Sequence, residues 1–348
     1  MNTQENTTSR RAVLLGAAGV SALGAAVAAT PATAAETAQG RSRGRGGGEM
    51  TVTLLGTGSP VPSATRMGPS TLVQANGVNL LFDAGRGAAV RLVQAGIGSN
   101  QIDATFITHY HSDHVNGLSD VWMMGYIPAL GARTAPFQLY GPRYDTLGVQ
   151  RLADGLMHAH QGDIDARVAD AEVNPAVTPI EAHDFTEDGI VFERSGVKVR
   201  MFTVEHDPRN VIRPAVGYRV DYGGRSVLMS GDTRPTPNVL TFGKNVDLLI
   251  HEVADFPDPT LPIIQNVYAH HTSPQQAGEI FSETKPAMAV YSHIVRGVPP
   301  KIPNVGLDTI VARTRENYDG PLLVGEDLTR FVLTRKGISV TPHYAEND

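Results

Sequence analysis

The chain has 348 residues, of which 41% are hydrophobic and 18% are charged, and it contains no cysteine. The lack of cysteine excludes disulfide frameworks, cysteine-type zinc fingers, thiolate metal ligands and cysteine nucleophiles. The formal net charge of -6 argues against a surface that holds a polyanion, so we expect no stable complex with nucleic acid. The length allows either one large α/β domain or two smaller domains.

Residues 1–35 have the pattern of a targeting segment. Arg10 and Arg11 precede an uncharged stretch, 12–29, that is rich in alanine and glycine, and Ala32-Thr33-Ala34 offers a small-residue cleavage site. The pattern is similar to a twin-arginine signal, which implies the twin-arginine export machinery as a partner and a periplasmic or extracellular location. An uncleaved membrane anchor is the alternative, because the uncharged stretch is just long enough to span a bilayer.

Two further regions follow the targeting segment. Residues 36–48 are rich in glycine and arginine and predict a flexible linker, and residues 49–348 are predicted to form one folded domain. Apolar alternation in this domain predicts strands at 51–55, 71–74, 78–82, 104–108, 137–140, 197–204, 217–222, 226–229, 246–251 and 287–292. Helical spacing predicts helices at 87–95, 145–159, 273–281 and 307–318. Strands with interspersed helices predict a layered α/β fold.

One short stretch contains four candidate metal ligands, His109, His111, Asp113 and His114. It directly follows the predicted strand at 104–108, and side chains two apart on an extended backbone share a face, so His109 and His111 are expected to point the same way. Asp113 and His114 are expected to enter the next helix and to form a second pair. Neutral imidazole and carboxylate groups suit zinc, and a catalytic zinc site keeps one position open for water. The stretch therefore predicts a zinc site.

This H-x-H-x-D-H motif resembles the metallo-β-lactamase superfamily, and later segments are similar to its ribonuclease Z branch. Those segments are 204–206, 230–235, 249–252, 270–273 and 291–294. The resemblance implies an α/β fold of four layers, the αββα metallo-β-lactamase sandwich, with two Zn²⁺ ions per chain. It implies that one ion is held by His109, His111 and His206, that the other is held by Asp113, His114 and His293, and that Asp232 bridges them.

Other segments, at 56–60, 68–72 and 82–87, are similar to the zinc-dependent arylsulfatase-like subgroup of this superfamily. The resemblance implies an exported enzyme whose catalytic domain spans residues 49–348 and which cleaves a small-molecule ester, an aryl sulfate in the first place. The implied chemistry is attack of a zinc-bound hydroxide on the ester centre. Glu252 and His271 are expected to form a carboxylate–imidazole pair that protonates the leaving group, and Asp113 is expected to be catalytic as well as a ligand.

The residues around the metals are also predicted. Asp83, at a strand end, is expected to fix the tautomer of a ligand imidazole, and His270 is expected beside the site. The segment between the first motif and His206 is expected to cover the site. Its predicted substrate contacts are Trp122, Met123, Met124, Tyr126, His158 and His160.

Several alternatives stay open at this point. The tRNA-trimming enzymes of the branch carry a long arm between segments that correspond here to 217–219 and 230–232, and only 220–229 separate them. A phosphodiesterase or a ribonuclease Z-like nuclease, a lactone or carboxylic ester hydrolase, and a non-catalytic zinc-binding module are the alternatives to an arylsulfatase. A homodimer is also considered.

Overall fold

Two β-sheets lie face to face in the computed structural model, which describes residues 48–342. The predicted signal at 1–35 and the predicted linker at 36–48, except Gly48, lie outside the described residues. Within residues 48–342, no helix is both long and apolar enough to cross a membrane.

The first sheet has eight strands. They are β1 (Met50–Gly56), β2 (Ser70–Ala75), β3 (Val78–Phe82), β4 (Ala104–Phe106), β5 (Phe137–Pro142), β6 (Ile180–Phe185), β14 (Arg330–Thr334) and β15 (Gly337–Thr341). Their spatial order is β15-β14-β1-β2-β3-β4-β5-β6, and β3 to β6 run parallel to one another. The carboxyl ends of these four strands therefore lie at one edge of the sheet.

The second sheet has seven strands. They are β7 (Gly189–Arg194), β8 (Val197–Thr203), β9 (Val216–Tyr222), β10 (Arg225–Met229), β11 (Leu248–Ala254), β12 (Met288–Val295) and β13 (Leu322–Val324). Their order is β13-β12-β11-β10-β9-β8-β7, with β10 to β13 parallel. The N–H of Val216, beside the end of β10, donates to Thr108 O just beyond β4 at 3.0 Å. The carboxyl ends of the parallel strands in both sheets therefore meet at one edge of the sandwich, which we call the metal edge.

Eight α-helices belong to the described residues. They are α1 (Ala88–Gln94), α2 (Ser112–Val115), α3 (Leu118–Met124), α4 (Val149–Ala169), α5 (Pro237–Gly243), α6 (Pro262–His270), α7 (Pro274–Thr284) and α8 (Leu307–Thr314). One apolar cluster fills the space between the sheets, a second lies between the first sheet and α1, α3 and α4, and a third lies between the second sheet and α5, α7 and α8. The predicted four-layer αββα sandwich is confirmed.

Aromatic side chains join the two sheets in the central cluster. The rings of Phe82 and Phe106, from the first sheet, stack with their centroids 4.9 Å apart, and Tyr218 from the second sheet meets Phe106 at 5.6 Å. Offset and edge contacts of this kind add to the stabilisation that buried area provides. Phe82 and Phe106 come just before Asp83 and the loop that carries His109, so this packing helps to fix the distance between the two sheets at the metal edge.

The expectation that the strand runs to Thr108 and leads directly into His109 was wrong. The strand β4 ends at Phe106, and the stretch from Ile107 to His111 is a loop. The physical reason is that the N–H of Thr108 donates to Asp83 Oδ1 at 2.8 Å instead of to a neighbouring strand. The side chains that follow are therefore oriented by a side-chain network and not by a sheet.

The structure places Trp122 and Tyr126 in the core and not in the predicted substrate pocket. Trp122 and Tyr126 are fully buried in the cluster between the first sheet and its helices. The indole N–H of Trp122 donates to Thr178 O at 2.7 Å, just before β6 begins, which is the edge of the sheet away from the metals. The reason is that the apolar face of α3 must be covered.

The histidines of α4 share this setting. The ring of His160 lies 5.9 Å from that of Trp122, whereas His158 is exposed. Among the described residues, no group of three side chains that could hold a metal includes either histidine. Their sequence, Met157-His158-Ala159-His160, therefore forms part of a helix surface.

A core role for Trp122 predicts a loss of stability without a loss of metal. Trp122→Ala should lower the free energy of unfolding by about 3–5 kcal/mol, since a large buried side chain and its hydrogen bond are both removed. Urea titration followed by circular dichroism measures the change. His158→Ala, on an exposed position, is the control and should shift stability by less than about 0.5 kcal/mol. A Trp122→Ala protein of normal stability and altered KM would restore the pocket role.

Candidate metal centre

The candidate ligands come from loops and element ends along the metal edge. His109 and His111 follow β4, Asp113 and His114 lie in α2, and His293 lies within β12. The remaining two follow strands of the second sheet, His206 after β8 and Asp232 after β10. All seven meet because the carboxyl ends of parallel strands share this edge.

One group of donor atoms consists of His109, His111, His206 and Asp232, whose ligand atoms lie within 4.8 Å of one another. His206 Nδ1–H donates to His270 O at 2.9 Å, which leaves Nε2 free to face the group. Nε2 of His206 lies 3.2 Å from Nδ1 of His111. Two nitrogen lone pairs at this distance converge on one point, as ligands of a common cation do.

A second group consists of Asp113, His114 and His293. His293 Nε2 lies 3.2 Å from Asp113 Oδ2, and His114 Nε2 lies 3.7 Å from the same oxygen. All three side chains are buried. The strand β12 presents His293 with a positive φ of 44°, at a point where its pairing with β11 shifts register.

The carboxylate of Asp232 lies between the two groups. Its Oδ2 is 3.3 Å from His114 Nε2 and 3.2 Å from His293 Nε2 in the second group. In the first group it is 3.8 Å from His109 Nε2 and 3.7 Å from His206 Nε2. The preceding Gly231 has φ 62°, and a Cβ there would lie 2.5 Å from Val216 O, so only glycine lets the backbone place Asp232 here.

Asp83 and Thr108 contact the Nδ1 atoms of two of the ligand imidazoles. His114 Nδ1–H donates to Asp83 Oδ2 at 2.8 Å, which directs Nε2 of that ring toward the other ligands. The hydroxyl of Thr108 lies 2.9 Å from Asp83 Oδ2 and 3.1 Å from His109 Nδ1. Carboxylates that orient a metal-binding histidine in this way also raise its basicity.

The protonation of the imidazoles differs between the two groups. Burial lowers the pKa of His206 to about 3, and burial followed by the charge of His114 lowers the pKa of His109 well below its usual range. Burial also acts to lower the pKa of His114, but the carboxylates of Asp232 and Asp83 outweigh it and raise that pKa well above its usual range. His109 and His206 in the first group are thus neutral donors. In the second group, the two carboxylates favour the protonated form of His114.

Several buried polar atoms in the site have no hydrogen-bond partner. They include His109 Nε2, His114 Nε2 and Asp232 Oδ1. A buried polar atom without a partner lowers the stability of the fold by about 1–3 kcal/mol. A cation bound to these atoms would remove that cost. Imidazole nitrogens and carboxylate oxygens without sulfur suit zinc, and these residues fit such a metal.

Glu252 and His271 lie beside both groups. His271 Nδ1 is 3.3 Å from Glu252 Oε1, which also accepts the backbone N–H of Thr272 at 3.0 Å and that of Thr233 at 3.3 Å. The ring of His271 is 5.0 Å from that of His206 and 5.7 Å from that of His293. His271, His293 and Asp232 also form a third set of atoms that could hold a metal. His271 is therefore within reach of whatever binds between the two groups.

Some residues contribute in ways that sequence reasoning missed. His270 acts through its backbone carbonyl, while its Nε2 lies 3.6 Å from Asp207 Oδ1. Asp207 accepts the N–H of Arg209 at 3.1 Å and that of Val211 at 2.8 Å, and so folds the loop after His206. Thr108 orients Asp83. Asp207 and Thr108 each lie next to a ligand histidine in the sequence, which is the signal that could have found them.

The position of Asp232 predicts that one carboxylate controls both groups. Asp232→Ala should strip metal from both, because a negative charge within 3.8 Å of the Nε2 atoms of His109, His114, His206 and His293 is lost. Elemental analysis of dialysed protein measures this, with Asp120→Ala, an exposed carboxylate of α3, as the matched control. Full metal content in the Asp232→Ala protein would contradict a shared role.

The chain is similar to one described protein family and to several ribonucleases. A family model described as "Anti-Pycsar protein Apyc1" matches residues 50–262, more than half of the chain. The chain is 34% identical over 286 residues to ribonuclease Z of Mycobacterium marinum, covering 80% of this chain and 97% of the relative. It is 32% identical over 295 residues to ribonuclease Z of Mycolicibacterium gilvum, covering 84% and 98%.

Solved structures share the fold at lower identity. Human tRNase Z, short form, aligns with a TM-score of 0.58 and 20% identity, covering 80% of this chain and 98% of that chain. YhfI of Bacillus subtilis, a metallo-β-lactamase fold protein, aligns with a TM-score of 0.59 and 18% identity over 82% and 99%. Zinc-bound PqqB of Methylobacterium extorquens aligns with a TM-score of 0.55 and 18% identity over 80% and 99%.

These relatives support the ribonuclease Z-like branch that the motifs resemble, and they give no support to the arylsulfatase-like subgroup. The clustered histidines and aspartates supply the metal-binding groups that such a hydrolase needs. The chain therefore belongs to the family described as anti-Pycsar protein Apyc1 and is a metal-dependent hydrolase of the ribonuclease Z-like branch of the metallo-β-lactamase fold.

Proposed function

We propose that this hydrolase uses two zinc ions to cleave a phosphodiester bond in a small substrate. The observation that carries the proposal is the position of Asp232 Oδ2 between two groups of buried donors. Two cations held side by side suit a tetrahedral ester, because the attacking and the leaving oxygen can both be neutralised.

The ligands in the proposal follow from the two groups. His109, His111 and His206 would hold one ion, Asp113, His114 and His293 would hold the other, and Asp232 would belong to both. Zinc in such a site supplies Lewis acidity, which polarises the ester and makes water acidic enough to act as a nucleophile near pH 7. The role of Asp83 is to keep His114 in the tautomer whose Nε2 can bind.

A phosphodiester replaces the aryl sulfate expected from the sequence. Ribonucleases cleave phosphodiester bonds, and the most similar relatives named above are ribonucleases Z. The donor set itself does not separate a tetrahedral phosphorus from a tetrahedral sulfur, so the arylsulfatase-like segments support only the class of ester hydrolase. Sulfates and lactones are therefore competing substrates in the experiment below.

A small substrate is favoured over precursor tRNA by the shape of the second sheet. Tyr222 at the end of β9 and Arg225 at the start of β10 are joined by Gly223 and Gly224 alone, both with positive φ, in a tight hairpin. No arm protrudes between these two strands. The net charge of -6 points the same way, since affinity for a polynucleotide depends on many Lys and Arg contacts to phosphates.

His271 and Glu252 are proposed to hold the proton for the leaving group. Burial raises the pKa of Glu252 well above its usual range and lowers the pKa of His271 to about 4, so the pair favours a shared proton and no net charge separation. His271 Nδ1 lies 3.3 Å from Glu252 Oε1, and the Nε2 of the same ring would carry the proton toward the two donor groups. The backbone N–H groups of Thr233 and Thr272 keep the carboxyl group in place.

The first test is a comparison of substrates on zinc-loaded protein. Bis-(4-nitrophenyl) phosphate should be hydrolysed with a higher kcat/KM than 4-nitrophenyl sulfate, a lactone or precursor tRNA, and chelation should abolish the activity. A higher kcat/KM for the sulfate would support an arylsulfatase instead. A higher kcat/KM for precursor tRNA would show that this chain is a nuclease. Export by the twin-arginine route and homodimer formation stay predictions.

A second test addresses the leaving-group proton. His271→Ala should lower kcat on a diester with an alkoxide leaving group by about 10²–10⁴-fold, the usual range for general acid catalysis. The loss on a nitrophenolate leaving group should be much smaller, because that anion departs without protonation. Zinc content serves as the control for intact ligands. Equal losses on the two substrates would remove the acid role from His271.

A further inference from the structure

The ligand His293 has an unusual backbone conformation. Its φ of 44° is in the left-handed region, which residues with a Cβ seldom adopt, and the pairing of β12 with β11 shifts register at this point. Such a conformation persists only where the surrounding contacts hold it. The next backbone N–H, that of Ile294, donates to Thr57 O at 3.1 Å, just beyond β1 in the first sheet. The position of His293 therefore depends on the position of Thr57.

A buried carboxylate, that of Asp327, holds Thr57 in place. Its Oδ1 accepts the backbone N–H of Thr57 at 2.9 Å and the Thr57 hydroxyl at 2.8 Å. Its Oδ2 accepts the N–H of Met67 at 2.7 Å and pairs with Arg91 Nη2 at 3.0 Å. The Asp327 side chain is only 4% exposed, and it belongs to none of the donor groups found among the described residues. Hydrogen bonds to a charged acceptor are short and strong, so Asp327 fixes its partners firmly.

Asp327 lies in the segment 325–329, which runs from β13 in the second sheet to β14 in the first and which we call the crossing segment. Because β13 is parallel to β12, its carboxyl end lies at the metal edge. The N–H of Gly325 donates to Tyr291 O at 2.9 Å, two residues before His293. A Cβ at Gly325 would lie 2.5 Å from that oxygen, so the crossing segment packs directly against β12. It thus connects the strand of His293 to the end of β1.

The loop 57–68 is held near both ends by the same carboxylate. Its last residue, Gly68, donates its N–H to Arg86 O at 3.0 Å, in the turn after β3. A Cβ at Gly68 would lie 3.0 Å from Asp113 O, and a Cβ at Gly85 would lie 2.5 Å from the same oxygen. The loop and the turn are therefore packed against the backbone of a second ligand, Asp113.

We propose that Asp327 is a positioning residue for the second group of metal ligands. It acts through Thr57 on His293 and through the loop 57–68 on Asp113. The inference rests on the two-zinc site of the proposed function, and it does not depend on the substrate.

The first group of ligands has other supports. Thr108 contacts His109 Nδ1, and the carbonyl of His270 orients His206. Loss of Asp327 should therefore affect one zinc and spare the other.

Zinc titration of metal-free protein against a chromophoric chelator tests the inference without turnover. Asp327→Asn keeps the shape of the side chain, but it removes the charge and replaces one acceptor oxygen with a donor group. The variant should bind the second zinc about 10- to 100-fold more weakly, the usual effect of losing a residue that orients metal ligands. The first zinc should stay within about twofold. Anomalous difference maps of crystals grown at graded zinc concentrations should show the lost occupancy beside Asp113 and His293.

Asp247 offers a matched control at the other end of the sandwich. Its carboxylate accepts the N–H of Ser226 at 2.8 Å and the Ser226 hydroxyl at 3.3 Å, and it pairs with Arg225 at 2.6 Å. It directly precedes β11, so it lies at the edge opposite the metal edge. Asp247→Asn should leave both zinc affinities within about twofold. Trp122→Ala is the control for a general loss of stability.

A milder variant keeps the test decisive if Asp327→Asn does not fold. Thr57→Val removes only the hydroxyl oxygen and keeps the backbone carbonyl that accepts from Ile294. It should weaken the second zinc by about 2- to 10-fold, the range that loss of one hydrogen bond gives, and spare the first. Ser226→Ala, which removes the corresponding hydroxyl beside Asp247, should change neither affinity.

The outcomes separate the inference from the proposed function. Equal zinc binding in wild type, Asp327→Asn and Thr57→Val would overturn the inference and leave the two-zinc proposal intact. Equal weakening of both zincs, or the same loss in Asp247→Asn or Trp122→Ala, would also overturn it, since the effect would then be one of general stability. A wild-type protein that binds a single zinc would contradict the proposed function and the inference together. Loss of the second zinc alone, in a protein that cleaves no diester, would support the inference and contradict the proposed phosphodiesterase activity.

Discussion

The structure depends on a buried carboxylate, that of Asp232, placed among four imidazole rings. Its Oδ2 lies within 3.8 Å of an Nε2 atom from His109, His114, His206 and His293, and its Oδ1 has no hydrogen-bond partner. Burial acts to raise the pKa of Asp232, but the charges of His293 and His114 outweigh it and hold the pKa well below its usual range. A buried charge of this kind is costly unless cations compensate it. Metal binding is thus the constraint that the loops around the site have to satisfy.

The sandwich satisfies this constraint through topology. Parallel strands end at one edge in both sheets, so residues from Asp83 to His293 meet although 210 positions separate them. The tightly packed aromatic contacts between the sheets fix the separation of the two halves. The loops that carry the ligands are held by side-chain hydrogen bonds, such as those of Asp83 to Thr108 and His114. The packed sheets thus set the distance between the two halves of the site, and the hydrogen-bond network orients the ligand side chains.

The sequence was informative where a local rule or a motif applied. Apolar alternation predicted strands at 71–74 and 78–82, which β2 and β3 confirm, and the helix predicted at 273–281 corresponds to α7, which Ser273 caps. The strands β6 and β7 were not predicted, because β6 has only one fully buried residue and β7 only Val191, so neither shows a clear apolar alternation. Trp122 was misplaced because an aromatic residue on a helix has the same sequence signature whether it faces a pocket or a core.

We propose two metal ions, one on either side of Asp232. Crystals of the purified protein, measured above and below the zinc absorption edge, test this directly. Two anomalous peaks are expected, one beside His109, His111 and His206 and the other beside Asp113, His114 and His293, with Asp232 Oδ2 between them. A single peak, or peaks that do not contact Asp232, would contradict it.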